Sequence, residues 1–285
     1  EIHVEHEASV PDVSIREETI VTGESTKNRK KYAFPHLKDR NIYLFIVESY
    51  GHTLLSRSDH RELITPVYQQ SMMQLQNNGY TAASGFLSSP ITGGRSWLAD
   101  ATLLTGVWVD DQHTYDSLLT SDVDNLTHTF NDAGYRTIMS APGTSSASEE
   151  WKQFYTFDEY YFNDDFGYNG PSFCFGDMPD QYQLNWLRKG PLAKEKQEKL
   201  FLMCMFATSH TPFNIVPAYI QDWDKIGDGS EYRGLDNPTF HNNWITGEEY
   251  PEGYTASIAY VLTMLTDFLT RYLPEEALII IIGDH

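Results

Sequence analysis

Cysteine is scarce in this chain of 285 residues, which contains only Cys174 and Cys204. Two cysteines cannot build the network of bridges that holds small disulfide-rich domains together, so that class of protein is excluded. Cys204 lies in the apolar run of residues 200–207, where we expect a buried thiol that packs as a small hydrophobe. The cysteine count leaves the redox compartment open.

Basic residues are half as numerous as acidic ones. The chain has 20 Lys and Arg against 40 Asp and Glu, which gives a formal net charge of -20. A field of that sign repels polyanions, so we expect no nucleic-acid partner. An anionic ester stays compatible with this charge, because a bound dication can reverse the potential locally.

Long apolar runs are missing as well. No stretch approaches the roughly 20 apolar residues that cross a bilayer, and no secretory signal is visible. Because the chain begins at Glu1 and not at Met, we expect a processed or trimmed product. Any membrane anchor would then lie in segments outside this chain.

The chain does contain ample material for a packed core, since 40% of its residues are hydrophobic and 14% are aromatic. Residues 1–40 are polar and charged without a helical period, and we interpret them as an N-terminal extension or linker. Residues 41–285 are predicted to form a single large domain.

Four apolar runs have the length of strands that are buried on both faces of a parallel sheet: residues 41–47, 136–139, 200–207 and 278–282. Segments with helical patterns occupy residues 61–78, 98–104, 123–133, 181–187 and 254–272. This alternation predicts an α/β fold with a mostly parallel central sheet sandwiched by helices. Residues 163–179 and 221–253 are predicted to be long surface loops.

Three of the four apolar runs are followed by residues of the types that commonly bind metal ions. Glu48 follows the first run, His210 follows the third, and Asp284 with His285 follows the fourth. Ligands of open α/β sheets bind beyond the carboxyl ends of strands, so we expect these side chains to share a site. Carboxylate oxygens and imidazole nitrogens suit Mn²⁺ or Zn²⁺. Taken singly, each residue also fits a structural role at a helix or loop end.

A candidate nucleophile, Ser96, follows the glycine pair Gly93-Gly94 and Arg95. The glycines permit a tight turn, and the apolar residues that follow indicate a helix with Ser96 at its N-terminus. Free backbone N–H groups there favour an anion, and Arg95 could add positive charge. The structural alternative is that Ser96 only caps this helix.

Together these motifs resemble the lipoteichoic acid synthase and phosphoglycerol transferase branch of the alkaline phosphatase superfamily. The resemblance covers about residues 41–285. The motifs that carry it are Val47-Glu48-Ser49, the hydroxyl Ser96 after a glycine-rich turn, Thr208-Ser209-His210-Thr211-Pro212-Phe213 and Gly283-Asp284-His285.

The resemblance implies a sulfatase-like catalytic domain at 41–285 with a single metal ion, typically Mn²⁺, with Zn²⁺, Mg²⁺ or Ca²⁺ as alternatives. It implies Glu48, Ser96, Asp284 and His285 as the metal ligands, Ser96 also as the nucleophile, and His210 as a contact to the substrate phosphate. Threonine is the usual nucleophile in this branch, and Ser96 keeps its hydroxyl. Relatives continue beyond the Asp-His pair, so we expect a C-terminally incomplete domain.

The implied activity is transfer of a phospho-headgroup, phosphoglycerol-like or phosphoethanolamine-like, to a cell-envelope glycan or lipid. It implies an extracytoplasmic location, with membrane anchoring in the full-length protein. Trp151 is expected to bind substrate together with Arg95 and His210. Gln153 stands where the family has an arginine after the tryptophan, which leaves the headgroup open.

Two other functions stay open. The same site could hydrolyse sulfate or phosphate esters, although Trp97-Leu98 after Ser96 argues against the oxidised nucleophile of true sulfatases. Alternatively, the chain could be an inactive cell-surface binding domain that uses the aromatic loops at 160–175 and 223–244.

Overall fold

The computed structural model describes residue 37 and residues 40–193, 199–240, 251–273 and 276–285. Almost all of the predicted extension at 1–40 lies outside the described residues, as does the 241–250 part of the second predicted loop. The described strands are β1 (Asn41–Val47), β2 (Tyr135–Ala141), β3 (Glu159–Phe162), β4 (Lys199–Phe206) and β5 (Ala277–Gly283).

These strands form one sheet in the order β3-β2-β4-β1-β5, and every pairing is parallel. The predicted parallel α/β sheet is therefore confirmed. Strand β1 lies between β4 and β5, and its last residue, Val47, is level with Phe206 on one side and Gly283 on the other. The residues that follow these three strands thus emerge side by side at one edge of the sheet.

Helices cover both faces of the sheet. They are α1 (Thr53–Ser56), α2 (Ser58–Asn77), α3 (Ser96–Thr105), α4 (Gln112–Leu119), α5 (Leu126–Asp132), α6 (Glu149–Tyr155), α7 (Asp180–Lys189) and α8 (Pro251–Tyr272). None of the described helices is both long and apolar enough to cross a bilayer.

The core is divided between the two faces because side chains alternate along each strand. Tyr43 and Phe45 of β1 point into a cluster with α2, α7 and α8, whereas Ile42 and Leu44 point into a cluster with helices α3 to α6. Cys204 is fully buried in the first cluster, as its apolar surroundings in the sequence indicate. Burial on both faces explains why β1, β2 and β4 have no polar alternation. The same expectation is wrong for β5, which lies at the edge of the described sheet and exposes Leu278 and Ile280 on one face.

Four of the strands and helices given above were not predicted from the sequence: β3, α1, α4 and α6. Helix α1 has only four residues, too few for a period. Strand β3 has only four residues and begins with a charged one, so it contains no apolar run. Helices α4 and α6 have eight and seven residues, too few for a clear period. Their capping residues are present in the sequence: Asp111 accepts a hydrogen bond from the backbone N–H of Thr114, and Ser148 accepts one from that of Trp151.

Gly283 closes β5 directly against the turn after β1. A Cβ at this position would overlap the carbonyl oxygen of Tyr50 and lie 2.8 Å from its carbonyl carbon. We expect Gly283→Ala to lower the free energy of unfolding by about 1–3 kcal/mol or more, because a backbone atom cannot rotate away as a side chain can. Urea denaturation measures this, with Gly143→Ala as the control, since its Cβ would lie 3.4 Å from Phe175. Equal effects at both positions would contradict the prediction.

Candidate active site

Three side chains from two neighbouring strand ends meet at the edge of the sheet. One ligand atom each of Glu48, Asp284 and His285 lies within 4.8 Å of the other two. The Nε2 atom of His285 is 3.2 Å from Oε1 of Glu48 and 3.7 Å from Oδ1 of Asp284. The side chains of Glu48 and His285 are 15% and 16% exposed, and that of Asp284 is 2% exposed. A small ion from solvent can reach this cluster, whereas bulk water is largely excluded.

The turn after β1 holds the two carboxylates together. Ser49 adopts a left-handed conformation with φ 58°, which costs a non-glycine residue about 1–3 kcal/mol. In this conformation its N–H donates to Oδ1 of Asp284 at 2.8 Å, and its hydroxyl donates to Oε1 of Glu48 at 3.1 Å. The hydroxyl of Tyr254 donates to the Ser49 carbonyl at 2.7 Å. Helix α8 therefore braces the turn that carries Glu48.

The closeness of Glu48 and Asp284 shifts the pKa values of the two carboxyls in opposite directions. Burial, followed by the charge of Glu48, raises the pKa of Asp284 to about 7. Burial opposes ionisation of Glu48 too, but hydrogen bonds from His285 and Asp284 outweigh it and lower the Glu48 pKa. The hydrogen bond to Glu48 raises the pKa of His285.

This donor set fits a divalent cation. Two adjacent carboxylates with little access to water repel each other, and a dication between them would offset that repulsion. Two carboxylates with an imidazole match the oxygen and nitrogen ligands of Mn²⁺ or Zn²⁺ better than the all-oxygen shell that Ca²⁺ prefers. The local chemistry of Glu48, Asp284 and His285 therefore suits a metal centre.

Ser96 reaches the same cluster from a third element. It is the first residue of α3, and the turn before it has positive φ at Gly93, Gly94 and Arg95. The two glycines serve the tight turn that the sequence predicted. The Ser96 side chain acts on the Asp284 carboxyl and opposes the rise of its pKa, so the hydroxyl lies beside the carboxylate cluster. It does not cap its own helix, because the residue at the cap position is Arg95.

His210 lies in the loop after β4, with its ring orientation defined by two contacts. Its Nδ1 is 2.7 Å from the carbonyl oxygen of Thr211, and its ring stacks on Phe175 with centroids 4.3 Å apart. A carbonyl oxygen only accepts, so Nδ1 carries the hydrogen and Nε2 is the nitrogen available to a ligand. The charge of His210 helps to lower the pKa of Glu48, which places the ring near the cluster.

The other two predicted substrate residues occupy different surroundings. Arg95 is exposed beside Ser96 and makes no ion pair within the described residues. Trp151 lies on α6 and packs against Tyr155 with ring centroids 4.5 Å apart. No described contact joins Trp151 to the carboxylate cluster, so its role in substrate binding stays a prediction.

Sequence reasoning did not identify Asp100, which the structure places beside the site. It lies one turn after Ser96 on α3 and is 8% exposed. Burial, together with the charges of Asp284 and Glu48, raises its pKa well above the usual value. The spacing of four residues from Ser96 was the available signal, because residues i and i+4 share a helix face.

Solved structures with the same fold come from bacterial proteins. The lipoteichoic acid synthase LtaP from Listeria monocytogenes superposes with a TM-score of 0.58 at 16% identity, covering 94% of this chain and 61% of that protein. The C-terminal periplasmic domain of EptC from Escherichia coli, solved in complex with zinc, gives 0.53 at 16% identity and covers 86% and 63%. An alkaline phosphatase superfamily protein from Vibrio parahaemolyticus gives 0.52 at 14% identity and covers 86% and 54%.

These comparisons confirm the predicted alkaline phosphatase-like fold, and they show that the chain spans about three fifths of the LtaP and EptC structures. A search of curated proteins gives no significant match. The sulfatase family profile matches residues 44–285, which include β2 to β5, the last four residues of β1 and every residue of the predicted site. The chain therefore belongs to the sulfatase family, as its resemblance to the alkaline phosphatase superfamily indicated.

Proposed function

We propose that this chain is the catalytic domain of a metal-dependent phosphotransferase or phosphodiesterase that uses Ser96 as its nucleophile. The observation that carries the proposal is the convergence of Glu48, Asp284 and His285 within 4.8 Å, with the Ser96 side chain close enough to Asp284 to act on its pKa. Independent structural roles would not require these groups to meet.

The cation would be held by Glu48, Asp284 and His285, with the Ser96 hydroxyl as a further ligand. When bound, it supplies positive charge that lowers the pKa of a coordinated hydroxyl and neutralises charge on a phosphate. Mn²⁺ is our first choice and Zn²⁺ our second, and the zinc complex of EptC supports a site of this kind.

The chain's own residues have separate tasks in the reaction. Asp284, which lies beside Ser96, would orient its oxygen towards phosphorus. The N-terminus of α3 would offer the backbone N–H groups of Ser96 and Trp97 to the phosphate oxygens, whereas that of Leu98 donates to the carbonyl oxygen of Arg95. His210, as an imidazolium that carries hydrogens on both ring nitrogens, would donate through Nε2 to the same oxygens, and Arg95 would do so too, which stabilises charge that develops there.

The proposed substrate is a phospholipid or glycan ester with a phosphoglycerol-like or phosphoethanolamine-like headgroup. In the first step the Ser96 oxygen would attack phosphorus and release the rest of the donor as an alcohol. In the second step a hydroxyl of the cell-envelope glycan or lipid would take the headgroup from Ser96 and return the serine hydroxyl. A lipoteichoic acid synthase and a periplasmic domain among the similar structures support this substrate class and an extracytoplasmic location.

Hydrolysis of sulfate or phosphate esters is the second candidate, and the match to the sulfatase family favours it. In that case water takes the place of the acceptor hydroxyl at the same site. The two candidates differ in the ester that reacts fastest.

Rates on three nitrophenyl substrates separate these candidates. We expect a phosphodiester to react at least about tenfold faster than the phosphomonoester and the sulfate ester in the presence of Mn²⁺, a difference of about 1.4 kcal/mol in activation free energy. A faster sulfate or monoester would favour the hydrolase. Failure to turn over any of the three, together with failure to bind Mn²⁺ or Zn²⁺, would favour an inactive binding domain.

A further inference from the structure

The segment before α7 lies directly against His210. Phe175 stacks on the imidazole ring with an angle of 15° between the planes, although 60% of its own surface is exposed. The backbone next to it makes this approach close: a Cβ at Gly176 would lie 2.7 Å from the Cβ of Ala207. Glycine at 176 therefore allows the turn of Phe175 to pack on the end of β4.

Asp180, the first residue of α7, holds the loop after β4 that carries His210. Its carboxylate is fully buried, and Oδ1 accepts hydrogen bonds from the backbone N–H groups of Ala207 at 2.9 Å and Thr208 at 3.2 Å. In return the Asp180 N–H donates to Oγ1 of Thr208 at 3.0 Å. An acidic residue in the first helical turn usually stabilises its own helix through the helix dipole. Here the carboxylate accepts hydrogen bonds from the backbone that follows β4 and precedes His210.

The loop after β4 is also hydrogen-bonded to the residue that follows β1. The hydroxyl of Ser209 donates to the carbonyl oxygen of Glu48 at 2.6 Å. His210 is thus held between α7 on one side and β1 on the other, with Nδ1 bonded to Thr211.

We propose that Phe175 and Asp180 are positioning residues for His210. Phe175 sets the plane of the imidazole ring, and Asp180 sets the path of the backbone that carries it, so both act on the reaction through the direction of Nε2. The inference rests on the proposed function, because it needs His210 to contact the substrate phosphate. A displacement of about 1 Å at such a contact costs on the order of 100-fold in rate.

A double-mutant cycle tests this coupling. We expect Phe175→Ala and Asp180→Ala each to lower the rate on the aryl phosphodiester by about 10-fold to 100-fold in the otherwise unchanged protein. In a His210→Ala background the same changes should alter the residual rate by less than about twofold, because residues that act as one unit are not additive. Equal losses in both backgrounds would overturn the inference.

Conservative and matched variants separate positioning from loss of fold. Phe175→Tyr keeps the stacking ring and Asp180→Asn keeps an accepting oxygen, so both should restore most of the rate.

Met73→Ala, at a side chain 58% exposed, is the control for Phe175. Asp158→Ala is the control for Asp180. Asp158 also accepts a hydrogen bond from a backbone N–H group, that of Thr137 at 2.8 Å, but this bond does not involve the loop that carries His210. Neither control should change the rate, and Asp158→Ala should lower the free energy of unfolding.

The proton resonances of the His210 ring give a readout that needs no turnover. A ring stacked on phenylalanine is shielded, so Phe175→Ala should move these resonances downfield, and Phe175→Tyr should leave them close to their original positions. Unchanged resonances in Phe175→Ala would overturn the inference even if rates fell. A shifted spectrum in a protein whose wild type turns over no phosphodiester would instead contradict the proposed function.

Discussion

Replacement of Ser96 by alanine is expected to lower the rate on an aryl phosphodiester by at least about 10³-fold, since removal of a nucleophile eliminates the covalent route. The fold should persist, because Ser96 does not cap α3. Steady-state kinetics at saturating Mn²⁺ measures the rate, and thermal unfolding measures the fold. The loss should appear in kcat, with a smaller effect on substrate affinity.

Ser58→Ala is the matched control for this experiment. Ser58 is the first residue of α2, as Ser96 is of α3, and it is exposed. Its replacement should leave the rate unchanged within a factor of about two, as is usual for surface positions. If the Ser96→Ala protein kept an appreciable share of the wild-type rate, the assignment of the nucleophile would be wrong.

Replacement of Asp284 by asparagine is expected to weaken Mn²⁺ binding by at least about 100-fold, because it removes one of the two charged ligands from a buried site. At a Mn²⁺ concentration of 100 Kd the wild type should gain about 2.7 kcal/mol in unfolding free energy, whereas a 100-fold weaker variant should gain only about 0.4 kcal/mol. Titration calorimetry gives the affinity directly, and thermal shifts with and without the ion give the linkage.

In the presence of a chelator, the stability difference between the wild type and Asp284→Asn should no longer favour the wild type. Without a cation, Asp284 and Glu48 repel each other, so Asp284→Asn should be at least as stable as the wild type in chelator. Asp267→Asn serves as a control, because Asp267 is also buried but accepts a hydrogen bond from Tyr219 and pairs with Arg271. It should leave Mn²⁺ affinity unchanged. A cation that stabilises wild type and Asp284→Asn equally would bind elsewhere.

The edge of the sheet could be predicted from the sequence because the apolar runs identify the buried strands. Parallel strands with level ends bring their following residues together, and the register of Val47 with Phe206 and Gly283 has that effect. The prediction therefore extended to the meeting of Glu48 with Asp284 and His285. It required no knowledge of strand order beyond the assumption of a common edge.

The contacts that orient the site could not be predicted in the same way. Asp180 bonds to backbone N–H groups of Ala207 and Thr208, and such partners have no sequence pattern. The left-handed turn at Ser49 is stabilised by Asp284, which is more than 200 positions away in the chain. Long-range hydrogen bonds of this kind depend on the assembled fold and not on local propensity.

The measurement that tests the metal centre most directly is anomalous diffraction from crystals soaked with Mn²⁺. We predict a single strong peak in contact with Glu48, Asp284 and His285, at about 2 Å from the ligand atoms, with the Ser96 oxygen as a further neighbour. A peak bound elsewhere, or an ion that leaves Ser96 more than roughly 4 Å away, would contradict the proposed site, since a coordinated hydroxyl must lie within bonding distance.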